Sequence, residues 1–325
     1  MAHYLITSST RILFILIPAL IFLNSCRPDP IVEPWESLFD GEKLDGWSIK
    51  GGEAIYEVRD GQIIGKTVRN TPNTFLTSDR HFGDFILELE YKVDPSMNSG
   101  IQIRSQSLPY YRNGTVHGYQ VEIDPSERAW SAGIYEEQRR GWLHPITENQ
   151  KAQEAFNQND WNHYRVEAIG DTIKTWINGV AAAHLVDENS DSGFIGLQVH
   201  SINEDQEEGT EVIWKNIQII TDSLAVYSKT SPLPAVITKN QLLHSQEENG
   251  WQLLWDGKTT NGWRGAKLDS FPDEGWTIEN GELIVLASGG GESAAGGDIV
   301  TLEEFEDFEL QLEFKITEGA NSGIK

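Results

Sequence analysis

Hydrophobic and polar residues alternate with a period of two along much of the chain. The clearest alternating segments are 85–91, 101–104, 119–124, 163–168, 172–177 and 197–200. Such short segments, separated by Gly and Asn turns, predict half-buried β-strands. Only residues 148–157 predict a helix, and that helix is short. We therefore expect an all-β fold in which two sheets pack into a sandwich.

The same alternation assigns each strand residue to one of two sides, because successive side chains of a strand point to opposite faces. In three of these strands, over residues 101–104, 119–124 and 197–200, apolar residues fill one side. If the three strands share a sheet, the other side carries Gln102, Arg104, Gln120, Glu122, Asp124, Gln198 and His200. Amide, guanidinium and carboxylate groups suit multidentate hydrogen bonding to hydroxyl groups. The pattern favours a sugar-binding face; the alternative is a plain solvated sheet surface.

Part of the chain repeats at a distance. Residues 38–47 recur as 254–263, and residues 82–101 recur as 305–324 with many identities. The first copy extends to about residue 221, whereas the second stops at Lys325. We therefore predict one complete domain over 35–221, a proline-containing linker over 222–250, and the N-terminal part of a second, truncated repeat over 251–325.

The first 26 residues resemble an export signal. The apolar run 12–23 is too short to cross a bilayer and has the length of a signal-peptide hydrophobic region. It leads to Leu23-Asn24-Ser25-Cys26, which resembles a bacterial lipobox with Cys26, the only cysteine, as the lipidated residue. Residues 27–34 then predict an extended tether. We expect an exported bacterial lipoprotein, membrane-anchored in the periplasm or at the outer membrane or cell surface; the alternative is an ordinary signal peptide.

The charge narrows the range of partners. A formal net charge of −25 repels phosphate backbones, which argues against nucleic acid as a partner. Acidic groups can also capture divalent cations, which take oxygen ligands. The small-residue segment 288–297 follows no strand–helix pattern, so we expect no nucleotide cofactor.

Several motifs resemble the 3-keto-disaccharide hydrolase family. They are residues 38–41 with 46–47, 98–101, 117–124, 133–143, 160–162, 177–179 and 196–200. The resemblance covers about 35–221 and implies a concanavalin A-like jelly-roll sandwich. It also implies a carbohydrate substrate that a separate sugar 3-dehydrogenase oxidises at C3, and glycosidic cleavage as a hydrolase or by lyase-type elimination. Two features depart from many relatives: the acid and the amide are exchanged between Gln120 and Glu122, and Ser201 replaces a common glycine.

The resemblance also implies roles for individual residues. Glu122 is expected to be the general base or a metal ligand, and Arg104 the cation that stabilises an enolate. His200 or His117 is expected to be the acid or a ligand, so a divalent cation on Glu122 and His200 is a candidate cofactor. The expected substrate-binding residues are Gln102, Gln120, Asp124, Gln198, Glu136, Arg139, Arg140 and Trp142. The last four are expected to form a loop rim together with Tyr135, where Trp142 either stacks on a sugar ring or is simply packed.

Two other functions remain open from the sequence. A non-catalytic, lectin-like carbohydrate-binding module would have the same architecture. A retaining β-glucanase-like glycosidase is suggested by the spacing of Glu122, Asp124 and Glu127, because glycoside hydrolysis uses two carboxylates. Pro125 counts against the glycosidase, since proline tends to end a strand before Glu127 is reached.

Overall fold

The computed structural model describes residues 34–242, 246–247, 249–287 and 297–324. The predicted export signal, Cys26 and almost all of the tether lie outside the described residues, as does the small-residue segment from 288 to 296. Within the described ranges, no helix has the length and apolar character that a membrane span requires.

Short strands make up most of the first domain. In chain order they are β1 (Glu36–Ser37), β2 (Trp47–Gly51), β3 (Ile55–Arg59), β4 (Gln62–Lys66), β5 (Thr74–Ser78), β6 (Phe85–Val93), β7 (Ser99–Gln106), β8 (His117–Ile123), β9 (Ile134–Glu137), β10 (Gly141–His144), β11 (Asn162–Ile169), β12 (Thr172–Ile177), β13 (Val180–Val186), β14 (Phe194–Val199), β15 (Glu211–Ile220) and β16 (Val236–Ile237). The helices are a 3₁₀ turn (Arg112–Gly114), α1 (Gln150–Glu154), which Asn149 caps within the predicted segment, and α2 (Leu224–Tyr227).

These strands form two sheets. The seven-stranded sheet has the order β10-β9-β8-β7-β14-β5-β2, with β7 in the middle. The nine-stranded sheet has the order β16-β13-β12-β11-β6-β15-β4-β3, and β1 pairs with β15. The chain crosses between the sheets repeatedly, so strands that are neighbours in a sheet are often distant in sequence. The predicted all-β jelly-roll sandwich is confirmed.

One hydrophobic cluster fills the space between the sheets. Leu87, Leu89 and Tyr91 of β6 contribute to it from the nine-stranded sheet. The side chains that the alternation assigns to the core all lie in this cluster, namely Ile101, Ile103, Tyr119, Val121, Ile123, Leu197 and Val199. Each such buried side chain contributes about 1.5–3 kcal/mol relative to an exposed one. The core therefore fixes which side of the seven-stranded sheet is left for polar groups.

A β-bulge interrupts β7 at Arg104. Ile103 pairs with Tyr119 and Gln106 pairs with His117, so two residues, Arg104 and Ser105, lie opposite the single residue Gly118. Arg104 has a φ of 46°, in the left-handed region. Gly118 has no side chain to obstruct the bulge, whereas a Cβ there would lie 2.6 Å from the Ser105 hydroxyl. The extra residue breaks the alternation after Ile103.

The predicted linker is docked on the first domain up to about residue 240. β16 pairs in parallel with β13 and covers the edge of the nine-stranded sheet. Arg165 donates to the carbonyl of Tyr227 (2.6 Å), and Lys174 donates to the carbonyl of Lys229 (2.6 Å). This segment therefore behaves as part of the domain and not as a free spacer.

The region after residue 250 forms two small two-stranded sheets among its described residues. They pair β17 (Trp263–Gly265) with β20 (Ile299–Thr301), and β18 (Trp276–Glu279) with β19 (Glu282–Val285). The indole of Trp47 donates to the Leu38 carbonyl at 2.8 Å, and Trp263 makes the matching bond to Leu254 at 2.8 Å. The shared turn geometry agrees with the internal repeat, which stays a prediction.

Candidate active site

Four polar side chains form one continuous hydrogen-bonded row across β7 and β8. The Ser105 hydroxyl donates to Gln102 Oε1 (2.6 Å), and Gln102 Nε2 donates to Gln120 Oε1 (2.6 Å). Gln120 Nε2 then donates to Glu122 Oε2 (2.9 Å). All four side chains are buried, and every donor in the row points toward Glu122. We call Ser105, Gln102 and Gln120 the amide relay.

Glu122 is the acceptor at the end of the relay. Its second oxygen accepts from Asn98 Nδ2 (2.5 Å), and the Arg128 guanidinium lies 3.7 Å away. Burial raises the pKa of Glu122 to about 7, although the hydrogen bonds from Asn98 and Gln120 and the Arg128 charge oppose the shift. A carboxyl group that ionises near neutral pH is suited to accept a proton from a substrate.

Asp124 positions the loop after β8 that carries Arg128. Its carboxylate accepts from Arg128 Nε (2.7 Å), from the Ser126 hydroxyl (2.6 Å) and from the Trp130 backbone (3.2 Å). Burial raises the pKa of Asp124, but the bonds from Ser126 and Arg128 outweigh burial and leave it below its usual value. Asp124 is on the predicted face, yet its oxygens are occupied by its own loop.

An aromatic cluster lies beside this loop. The rings of Trp130 and Trp142 meet edge to face at 4.7 Å, and those of Tyr135 and Trp142 at 5.3 Å. The Arg128 guanidinium lies 4.7 Å from the Trp130 ring and 5.1 Å from the Trp142 ring. Tyr135 is paired with Gln120, so the cluster borders the relay. Half-buried aromatic rings beside polar groups suit the apolar face of a sugar.

A second carboxylate lies on the same face. Glu137 accepts from Asn73 Nδ2 (3.4 Å), although three strands separate β9 from β5 in the sheet. The sheet must therefore curl so that these two strand ends approach each other across the polar side. Burial raises the pKa of Glu137, while Gln138 and Asn73 donate to it and nearby His200 opposes the shift.

Gln198 and His200 occupy β14 and its end, as predicted. Gln198 is fully buried, and neither its amide nitrogen nor its amide oxygen has a partner in the described part of the chain. His200 is half-buried, with Nδ1 2.7 Å from the Ser201 carbonyl. A buried amide with free donor and acceptor atoms can bind a ligand hydroxyl.

Arg104 does not lie on the polar face, and its predicted position is wrong. Its guanidinium donates to the carbonyls of Gly83 (2.9 Å) and Gly170 (2.7 Å) and to the Asp84 carboxylate (2.9 Å). These groups lie at one end of the nine-stranded sheet, just before β6 and in the turn between β11 and β12. The bulge in β7 explains the error, because it turns Arg104 toward that sheet and places Ser105 beside Gln102 instead.

His117 also lies on the other side of its strand from Glu122, contrary to the prediction. His117 has the same strand parity as the core residue Tyr119. Its Nδ1 is 2.8 Å from the Thr115 carbonyl, and its ring stacks 3.9 Å from Tyr111. Burial lowers the pKa of His117. Its contacts are those of a packed side chain.

The predicted loop rim is wrong for Glu136, which lies in β9, whereas Arg139 and Arg140 lie in the turn between β9 and β10. Glu136 pairs with the core residue Tyr119 and is fully buried. Arg140 bonds to Glu136 and to both oxygens of Asp187 (2.8 and 2.9 Å), and Arg139 lies 3.4 Å from Glu136. Residues 134–137 and 141–144 are paired strands joined by the turn 138–140, so strand alternation applies to the strand residues.

That alternation identifies Glu137, which the sequence analysis missed, and assigns a side to Tyr135 of the expected rim. On β9 it places Tyr135 and Glu137 on the polar face and Glu136 on the core side. Arg128 and Asn73 lie in loops, where no periodic signal marks a residue as part of a site. Trp142 of the expected rim is paired with Tyr135.

The side chains around Glu122 do not fit the predicted cation. Both carboxylate oxygens accept amide hydrogens, and a guanidinium is close by. A cation there would compete with these amide hydrogens for the oxygen lone pairs and would be repelled by the guanidinium. Across the described ranges, no three or more His, Cys, Asp or Glu side chains are grouped to hold a metal ion.

Several known proteins are similar to this chain in structure or in sequence. A Bacillus subtilis protein with a galectin-like fold is 11% identical, with a TM-score of 0.43, over 57% of this chain and 94% of that chain. A lichenase from a mouse hindgut metagenome is 12% identical, with a TM-score of 0.41, over 57% and 98%. A 3-keto-disaccharide hydrolase of Bacteroides thetaiotaomicron is 45% identical over 80 residues, 24% of this chain and 27% of that protein.

The match to a family model is broader. Residues 34–220 and 250–325 match the model described as a 3-keto-alpha-glucoside-1,2-lyase-like domain. The matched ranges include the two sheets, the amide relay, Glu122 and the aromatic cluster. Since they make up more than half of the chain, the chain belongs to the 3-keto-alpha-glucoside-1,2-lyase-like domain family.

Proposed function

We propose that the protein cleaves glycosidic bonds of sugars that carry a ketone at C3, with Glu122 as the general base. The observation that carries the proposal is a buried carboxyl group, at the end of a polar row, whose pKa is raised to about 7. Family membership and the name of the relative point to the same class of substrate.

The chemistry follows from the ketone. A C3 ketone acidifies the hydrogen on C2, and the Glu122 carboxylate takes this proton while the electron pair moves to the ketone oxygen as an enolate. The enolate then collapses, the C1–O bond breaks, and a C1–C2 double bond forms. The departing oxygen takes up the proton that Glu122 holds, so the leaving group departs as a neutral hydroxyl compound. Water adding to the double bond gives a hydrolase outcome; release of the unsaturated sugar gives a lyase outcome.

Arg128 is our choice for the cation that stabilises the enolate, in place of Arg104. Its guanidinium is near Glu122 and is 42% exposed, so a substrate can reach it. The aromatic cluster of Trp130, Tyr135 and Trp142 would hold the sugar ring. Gln198 would bind a hydroxyl with the two atoms that lack partners.

Product analysis on matched pairs of native and C3-oxidised glycosides tests this function. We expect cleavage of the oxidised member of each pair and no cleavage of its parent, with equal rates in the presence and absence of a chelator. Cleavage of unoxidised β-glucans would instead identify a classical glycosidase, and a rate that falls with chelator would restore the cation.

The pH dependence gives a second test. Only ionised Glu122 can act as the base, so kcat/KM for a 3-keto glucoside should rise with pH and level off above about 7. The raised pKa also means that the folded state holds this proton more tightly than the unfolded state. The contribution of the Glu122 carboxyl group to the free energy of unfolding should thus fall as the pH rises from about 4.5 to about 7. An acid limb centred near pH 4.5 would contradict the assignment.

A non-catalytic, sugar-binding module is the second candidate, and the aromatic cluster beside Arg128 favours it. Such a module would bind an unmodified glycan and release it unchanged. The classical glycosidase is less well supported, because β8 ends at Ile123 and Glu127 lies exposed in the following loop.

We also propose that the protein is exported and anchored through a lipid on Cys26. Its substrate would come from a separate enzyme that oxidises the C3 hydroxyl, because the proposed reaction starts from a ketone. These two proposals rest on the lipobox-like sequence and on the reaction itself.

A further inference from the structure

We propose that Gln120, held in orientation by Gln102 and Ser105, is a positioning residue that keeps Glu122 as a hydrogen-bond acceptor aimed at the substrate. This inference deepens the proposed function and rests on Glu122 being the base. None of the three relay residues needs to touch the substrate to act in this way.

The direction of the relay is the first argument. A glutamine amide can present either its NH₂ group or its oxygen to a neighbour. Gln102 Nε2 donates to the Gln120 oxygen, which leaves the Gln120 NH₂ group facing Glu122. The Ser105 hydroxyl fixes Gln102 in the same sense. Three successive bonds therefore determine which atom Glu122 meets.

The local backbone is built around the relay. Gly100 lies opposite Glu122, and a Cβ at this position would lie 2.5 Å from Cδ of Gln120. The bulge that displaces Arg104 brings Ser105 beside Gln102. A buried polar row costs stability unless each group is paired, so apolar side chains would serve the fold more simply. A buried row that is bonded at each step and ends on Glu122 therefore points to a role at that end.

The charged and titratable groups that face Glu122 come from several elements. Arg128 lies 3.7 Å from it, and the charge of Asp124, directly after β8, also acts on it. Tyr135 of β9 and Tyr164 of β11 are also close, and the Tyr164 hydroxyl donates to the Glu122 backbone carbonyl at 2.5 Å. None of these contacts involves the relay, so relay variants leave them in place.

The experiment is a titration of the Glu122 carboxyl carbon by NMR in ¹³C-labelled protein. Gln120→Leu removes one donor to the ionised form, so the midpoint should move up by about one pH unit. Ser105→Ala should move it in the same direction by less, and this milder variant keeps the test open if Gln120→Leu does not fold. The acid limb of the rate profile should move with the midpoint, which at pH 7 means about fivefold lower kcat with little change in KM.

Gln198→Leu is the matched control for the titration. Gln198 is an equally buried glutamine on the same face, and it has no bond to the relay. The Glu122 midpoint should stay unchanged in this variant. Unchanged midpoints in both relay variants, or an equal shift in the control, would overturn the inference. Because the titration needs no turnover, its result does not depend on the proposed function, which the cleavage assays with oxidised and native glycosides test separately.

Discussion

Replacing Glu122 with glutamine should lower the cleavage rate of a 3-keto glucoside by about 10³-fold or more, because general-base catalysis supplies about 10²–10⁴ and the amide cannot accept a proton. The substitution keeps the size of the side chain. It also removes a buried group whose ionisation opposes folding above pH 7, so thermal stability at pH 8 should not fall. Initial rates and melting curves on the same preparations check both statements.

Glu148→Gln is the control for this prediction. Glu148 is an exposed carboxyl group before α1 with no contact to the relay, so the rate should stay at the wild-type value. Wild-type turnover by Glu122→Gln would remove Glu122 from the reaction. A melting temperature far below that of the wild type would mean that the lost rate reflects a damaged fold.

Replacing Arg104 with alanine should destabilise the fold by about 3–5 kcal/mol, the usual cost of breaking a buried ionic and hydrogen-bonded contact. The side chain is 1% exposed and bonds to Gly83, Asp84 and Gly170, so its loss leaves two carbonyls without a donor and a cavity between the sheets. Urea unfolding curves measure the change.

Arg112→Ala is matched to this variant in backbone geometry. Arg112 has a φ of 42°, close to the 46° of Arg104, but its side chain is exposed. Its loss should change the free energy of unfolding by no more than about 1 kcal/mol. If Arg104→Ala kept full stability and lost all activity, Arg104 would belong to the site after all.

The core and the central part of the polar face could be predicted because they depend on local periodicity. Ile101, Val121 and Leu197 lie in the core, and Gln102, Gln120, Glu122 and Gln198 lie on the opposite side. A two-residue period assigns sides correctly wherever a strand is regular.

The errors arose where regularity ends. A non-glycine residue in the left-handed region gives no sequence signal, so the bulge that turns Arg104 was not foreseen. On β9 the error was in the type of element: a hairpin taken for a loop left Glu136 and Glu137 undistinguished. Glu136 and Glu137 are neighbours on β9, and alternation puts Glu136 in a buried ion pair and Glu137 on the polar face.

Contacts between segments that are distant in sequence could not be predicted, for a different reason. Asn73 meets Glu137 only because the sheet curls across three intervening strands. Likewise, β16 docks on β13 through an edge that exists only in the assembled sheet. Local patterns carry no information on such closures.

The central claim is that Glu122 removes the proton on C2, and the fate of that hydrogen tests it most directly. A 3-keto glucoside labelled with deuterium at C2 is cleaved in ordinary water, with a no-enzyme sample correcting for spontaneous exchange. We expect the sugar product of the wild type to have lost the label, with no enzyme-dependent loss for Glu122→Gln. Cleavage by the wild type with the label fully retained at C2 would contradict the mechanism.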